Sequence, residues 1–281
     1  MTSTRDRQRA AARARLEKAM AERASQARRR RKTQAVLGAG LALLLVVGGT
    51  VWMVAALGGD DETETPTASS PATSTQCAWS EMPKEGRPEQ IKDVGLPPET
   101  ASTVGTQDMT IDTNLGQIGV RVNLADTPCT AASFTHLAAN GFFDGSKCHR
   151  LVAEENFKVL QCGDPSVTGK KWTELDGTGG PSYRFMEENL PVDKRPPYPA
   201  GVIAMANTGQ PGSTGSQFFI VYGDSELGPD YTVLGTITEG MDIVEEVGAA
   251  GHDNAFAEQA GGGHPKKQVV IKTLTMSQPK S

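Results

Sequence analysis

The sequence predicts a mainly β fold: an antiparallel barrel closed on itself, with helices over its openings and one membrane-spanning helix ahead of it. Three observations lead there. Short strand-like pieces separated by Gly-rich turns fill most of residues 108–281. Only two stretches in that region carry a helical pattern. A run of 23 uncharged residues, Ala35–Leu57, precedes it all. Many short strands with few helices are the signature of a closed antiparallel sheet.

The N-terminal part is read from charge. Residues 1–32 hold twelve Lys or Arg against three acids, a net of +9, while the remainder carries 16 basic and 30 acidic residues, a net of −14. Residues 1–34 are therefore a basic arm. Residues 35–57 contain Thr50 as their sole hydroxyl side chain, and about 20 apolar residues in a helix suffice to cross a bilayer core. Arg28–Lys32 stand before this run and Asp60, Asp61, Glu62 and Glu64 after it. Cations stay on the cytoplasmic side, so the arm is expected inside the cell and everything after residue 57 outside. A cleavable signal peptide is the competing reading, but its apolar core would be roughly 7–15 residues. The arginines need no nucleic acid to explain them: topology and contact with anionic lipid suffice.

Residues 58–76, GGDDETETPTASSPATSTQ, have no large apolar residue and read as a disordered linker. Residues 77–107 form an N-terminal extension. Pro83, Pro88, Pro97 and Pro98 argue there against regular structure, and Trp79 is the residue to pack it onto the main domain. From Met109 to Val122 apolar and polar residues alternate on both sides of Asn114-Leu-Gly-Gln117, a hairpin pattern. Pro128 and Thr130 open a helix that Asn140-Gly141 ends. Strands are expected over Lys147–Val152, Phe157–Cys162, Val202–Ala206, Phe218–Tyr222, Val233–Ile237 and Val269–Leu274, with a second helix over Met241–Val247. Residues 108–281 read as one domain.

Six blocks then carry a resemblance: Cys148-His-Arg150, Gln161-Cys-Gly-Asp164, Gly177-Thr-Gly-Gly180, Met205-Ala-Asn207, Gly215-Ser-Gln-Phe-Phe219 and Gly240-Met-Asp-Ile-Val244. Each is weak alone. Together, in this order, they resemble the cyclophilin family of peptidyl-prolyl cis/trans isomerases. The anchored layout and the Cys129 and Cys148 variants look like its actinobacterial extracytoplasmic branch. The resemblance implies an eight-stranded antiparallel barrel capped by two α-helices, in agreement with the strand count.

It also implies a chemistry. Rotation about an X–Pro bond meets a barrier of roughly 18–20 kcal/mol and takes tens to hundreds of seconds unaided. No covalent bond breaks, so neither cofactor nor metal is called for, and the chain has no CxxC or clustered Cys/His pair to hold zinc. A site that binds the twisted amide better than either planar form is enough. By resemblance Arg150 donates to the proline nitrogen, Gln161 orients that arginine, and Phe219 floors the proline pocket while Phe218 stays in the core. Val159 and Leu227 are its walls, and Ala206 and Asn207 the edge that pairs with the peptide. Gln217 adds a polar contact, and Tyr231 stands where many members carry His. The implied partners are proline-containing polypeptides, with membrane lipid around residues 35–57. The alternative is a non-catalytic chaperone or scaffold that merely holds proline segments, and the retained Arg150, Gln161 and Phe219 favour the enzyme.

Two departures from the family pattern stand out. Between Arg150 and Gln161 the chain has about three more residues than the commonest pattern, with Ala153–Asn156 inserted there, and this leaves Phe157 and Lys158 as rivals for the pocket aromatic. Glu226 replaces the Trp of cyclosporin-sensitive members, so weak cyclosporin binding is expected. Cys77, Cys129, Cys148 and Cys162 allow three disulfide pairings; the family fold favours Cys148 with Cys162. His136 and His149 read as structural rather than acid–base groups.

Overall fold

The computed structural model describes residues 73–281 apart from Gln259. The arm, the apolar run and most of the linker lie outside the described residues, and no described helix is long and apolar enough to cross a membrane. In chain order the strands are β1 (Ser74–Gln76), β2 (Ser80–Glu81), β3 (Ile91–Lys92), β4 (Thr100–Ser102), β5 (Thr106–Thr113), β6 (Gly116–Asn123), β7 (Arg150–Glu154), β8 (Phe157–Cys162), β9 (Gly180–Pro181), β10 (Tyr183–Arg184), β11 (Val202–Met205), β12 (Phe218–Gly223), β13 (Val233–Glu239) and β14 (Ile271–Met276). Helix α1 spans Pro128–Ala139 and α2 spans Met241–Ala250.

Eight strands form one antiparallel sheet in the order β14-β5-β6-β13-β11-β12-β8-β7. Its two edge strands do not share a ladder, which corrects the expectation of a barrel closed by strand pairing. They approach through a single bridge, Lys147 with Val270, flanked by Cys148 N–H donating to Val269 O (3.0 Å) and Ile271 N–H to Ser146 O (2.8 Å). The reason is competition for the β7 edge. Leu151 exchanges both backbone bonds with Gly263 of the α2–β14 loop, so β14 has no edge there to pair with. Accordingly β7 and β14 each begin two or three residues later than the sequence pattern predicts.

The β5–β6 hairpin follows the alternation: along β5 every second residue is buried, from Gln107 to Thr113. Met109, Ile111, Ile118 and Val120 face a core shared with Leu151, Leu160, Phe218 and Ile220. Both helices complete that core, α1 with Phe134 and Leu137, α2 with Val244 and Val247. The first turn of α1 has no local side-chain cap. Its orphan donors are met instead by Glu188, whose carboxylate accepts from the Cys129 (3.1 Å) and Thr130 (2.9 Å) N–H groups.

The extension is more ordered than its prolines suggest. Ser74–Gln76, expected in the linker, pairs with β4, while β2 and β3 pair with β10 and β9. Cys77 is bonded to Cys129, and Cys148 to Cys162. Trp79 stands edge-on to Tyr183 (5.5 Å) and Phe185 (5.3 Å). The insertion Ala153–Asn156 lengthens the β7–β8 hairpin, whose register pairs Glu154 with Phe157.

Candidate active site

Strand register assembles the site. Reading across β11, β12, β8 and β7, Ala204 faces Phe219, Phe219 faces Gln161, and Gln161 faces Arg150. Side chains directly opposite share a sheet face, and period two sends their neighbours to the other one. The row therefore stands on one face together with Val152, Val159 and Phe157, while Leu151, Leu160 and Phe218 turn into the core. The same register decides between Phe157 and Lys158. Phe157 lies with Arg150, its ring 5.5 Å from the guanidinium carbon, and Lys158 points the other way along the hairpin.

This face borders a cleft of about 450 Å³ lined by Arg150, Phe157, Val159, Gln161, Ala206, Asn207, Phe219, Leu227 and Tyr231. Gln217 lines an adjoining hollow of about 400 Å³ that shares Gln161, Ala206 and Asn207. All ten expected site residues thus meet in one region. The Asn207 amide is committed to its own neighbourhood, donating to Asp230 O (2.8 Å).

The polar side of the cleft is a relay. Arg150 Nη1 donates to Gln161 Oε1 (3.1 Å), Gln161 Nε2 to Gln217 Oε1 (2.9 Å), and Gln217 Nε2 to the carbonyls of Gly177 (2.7 Å) and Gly179 (2.9 Å). Asp164 holds that loop from behind, its Oδ2 accepting from the N–H groups of Gly177 and Gly179 (2.8 Å each). Gly177 has φ +90°, and a Cβ there would stand 3.1 Å from the His149 ring, so the turn requires glycine. Arg150 is further tied by Nε to Gly261 O (3.0 Å) and by Nη2 to Ala260 O. Of its five N–H groups, one on each terminal nitrogen has no partner among the described residues. Burial lowers the Arg150 pKa, opposed by Tyr231 and Glu154, yet a guanidinium remains charged.

The apolar side is held by packing. Phe219 meets Tyr231 edge-on at 5.5 Å and Tyr198 at 6.0 Å. The Tyr198 hydroxyl donates to Tyr231 O (3.1 Å) and accepts from Tyr231 N–H (3.0 Å), and burial pushes its pKa up to about 12. Tyr198 has no counterpart in the sequence reading. It lies in a proline-rich run that gives no strand or helix signal. The sequence reading also leaves out Asp176, Phe256 and Ala260, and gives His149 no part in the site, yet all four line the same cleft. Burial pushes His149 down to about 4, so it is neutral at pH 7, and its Nδ1 is buried without a hydrogen-bond partner. A neutral, enclosed imidazole fits the structural role expected of it.

The site thus sets an apolar floor beside an oriented guanidinium, on the face of an eight-stranded antiparallel sheet with two helices. The chain belongs to the cyclophilin type peptidyl-prolyl cis-trans isomerase/CLD family, whose model matches residues 108–276. It is 42% identical over 194 residues to the probable peptidyl-prolyl cis-trans isomerase B of Mycobacterium leprae, covering 64% of this chain and 61% of that protein. With the corresponding Mycobacterium tuberculosis H37Rv protein it shares 39% over 210 residues, 71% and 62% of the two chains. The chain thus spans about three fifths of these two relatives. With the M. tuberculosis H37Rv peptidyl-prolyl cis-trans isomerase A it shares 34% over 199 residues, 63% of this chain and 96% of that one.

Proposed function

We propose that the chain is a working peptidyl-prolyl cis/trans isomerase acting on proline-containing polypeptides. The observation that carries this is the row Ala204–Phe219–Gln161–Arg150, which sets an apolar pocket floor two strands from a cation with N–H groups to spare. A prolyl ring on Phe219, between Val159 and Leu227, leaves its amide nitrogen toward Arg150. Twisting the amide ends its resonance and returns a lone pair to that nitrogen. A guanidinium donor gains from this lone pair in the twisted state alone, which is the condition for lowering a barrier rather than merely binding. Gln161 keeps the fork aimed, so little reorganisation accompanies the twist. The test is the rate of cis-to-trans exchange of a short X–Pro peptide with the full chain. Acceleration in proportion to protein concentration is expected. Binding without acceleration would favour the chaperone or scaffold role.

The setting of this activity belongs to the same proposal. Residues 35–57 span a membrane, residues 1–34 lie in the cytoplasm, and the domain stands outside, assisting the folding of extracytoplasmic proteins as a member of the actinobacterial branch. The charge asymmetry about the apolar run supports the orientation. Two disulfides suit an oxidising compartment, and the mycobacterial relatives support the branch. Protease added outside cells with a permeable wall should remove the domain; a protected domain with a cleaved arm would reverse the orientation.

Cyclosporin binding is weak in this reading. Glu226 is exposed in a neighbouring hollow that shares Leu227 with the cleft, where its N–H donates to Asn156 O of the lengthened hairpin (3.0 Å). A carboxylate in place of an indole removes an aromatic contact and must be desolvated beneath an apolar ligand. Glu226→Trp should tighten cyclosporin binding by about tenfold, the scale of one aromatic contact, with little change in turnover. No gain would place the obstacle in the Ala153–Asn156 hairpin.

A further inference from the structure

The wall of the cleft beyond Arg150 is made by the α2–β14 loop, which none of the six sequence blocks includes. Phe256 and Ala260 of this loop line the cleft with Arg150, His149 and Asp176. The loop is not an incidental neighbour. Gly263 occupies the β7 edge by two backbone bonds with Leu151. A Cβ on Gly262, at φ +74°, would collide with the Leu151 carbonyl, so the backbone comes closer than any other residue allows. Asp253 Oδ1 accepts from the N–H groups of Ala255 (2.9 Å) and His264 (2.8 Å), and its Oδ2 lies 2.8 Å from His264 Nδ1. Phe256 itself is bracketed, its N–H donating to Gly262 O (3.0 Å) and its carbonyl accepting from Gly261 N–H (2.9 Å). Its ring meets His264 edge-on at 4.8 Å, and His264 stacks on Trp172 at 4.4 Å.

A half-buried aromatic ring on a loop tied down at so many points is a preformed contact surface. Its ordering cost has already been met in folding, which is what distinguishes an anchor from a passing contact. The Asp176 carboxylate on the same side opposes a negative neighbour. Given the isomerase reading, on which this step rests, we infer that Phe256 forms a specificity subsite that selects an apolar side chain flanking the proline and disfavours an acidic one. The carbonyls of Ala260 and Gly261 also hold the guanidinium. Recognition of the flanking residue and aim of the catalytic cation therefore reside in one loop.

The test uses the full chain and three sets of proline peptides with Leu, Gly or Asp at either position beside the proline. Dissociation constants are measured separately from exchange rates. Leu should bind about tenfold tighter than Gly at one of the two positions, as expected for filling an apolar subsite, with Asp weakest. Phe256→Ala should bring the Leu and Gly constants together, and Phe256→Leu should keep most of the difference. Equal affinities in the unaltered chain, or a Phe256→Ala variant that keeps the preference, would overturn the subsite while leaving the isomerase reading standing. Preference without accelerated exchange would do the reverse. A chain that binds none of the peptides would overturn both.

Discussion

The two sides of the cleft are held together by different forces. On one side Arg150, Gln161 and Gln217 form a directional chain ending on the carbonyls of Gly177 and Gly179. On the other, Phe219, Tyr231, Tyr198, Val159 and Leu227 form a small apolar cluster separate from the main core. A hydrogen-bond chain fails as a unit, because removing one member strands the partners on either side. A packed cluster fails in proportion to the volume removed. The side that carries charge should therefore be brittle and the side that carries the ring tolerant.

The largest effect should come from Arg150→Ala. Loss of a preorganised donor at developing charge typically costs about 10²–10³ in rate, and kcat/KM on an X–Pro peptide should fall by that order while circular dichroism stays unchanged. Next is the paired substitution Cys148→Ser with Cys162→Ser. The disulfide bridges a separation of 14 residues and ends one or two residues from Arg150 and Gln161. Loop-closure entropy puts its contribution at about 3 kcal/mol, readable as a lower denaturation midpoint in urea. A loss below about 1 kcal/mol, the scale of an ordinary exposed substitution, would show that the β7–β8 ladder alone keeps the relay in register. Phe219→Leu should be milder, with kcat/KM down about tenfold and a stability cost under about 1.5 kcal/mol, as for an apolar exchange of similar volume. A drop as deep as that of Arg150→Ala would erase the contrast between the two sides.

The smallest effect at neutral pH concerns His149. Its folded pKa is about 4 against an ordinary 6.5, so between these values the unfolded chain takes up a proton that the native chain does not. Stability is full above about pH 6.5 and falls as the pH drops toward 4, by up to about 3 kcal/mol for such a difference. Urea midpoints measured from pH 7 to pH 4 should decline less steeply for His149→Gln than for the unaltered chain. Equal slopes would mean that the acid sensitivity belongs to the carboxylates, such as Asp93, whose bonds to the Gly95 N–H, Arg87 and Ser182 hold it at about 2.

Arg150, Gln161 and Phe219 of the row were legible because strand period and block order agree there, whereas Ala204 joins it only through the register of β11 with β12. Once Arg150 and Gln161 are placed on paired strands, alternation sends Val159 and Phe219 to the same face and Phe218 to the other. The Ala153–Asn156 insertion obscured Phe157, since counting along a hairpin does not reveal its turn. Ser74–Gln76 was unreadable for another reason. Its polar residues have no apolar period, and it is a strand only because β4 lies beside it and Cys77 is bonded to Cys129. The α2–β14 loop is Gly-rich and aperiodic, so neither its seat on the β7 edge nor Phe256 at the cleft has a local signal. Distant partners decide both. The same seat explains why a barrel expected to close by a ladder is joined by one bridge.

The central claim is that Arg150 acts on the twisted amide rather than on the bound peptide. Exchange of an X–Pro peptide held at saturation, with its dissociation constant measured alongside, separates the two for the full chain and Arg150→Ala. An interaction made in the transition state alone predicts that the saturated exchange rate falls by about 10²-fold or more while the dissociation constant changes by less than about threefold. A variant that exchanges the bound peptide as fast as the unaltered chain, but binds it far more weakly, would contradict the claim and make Arg150 a binding residue.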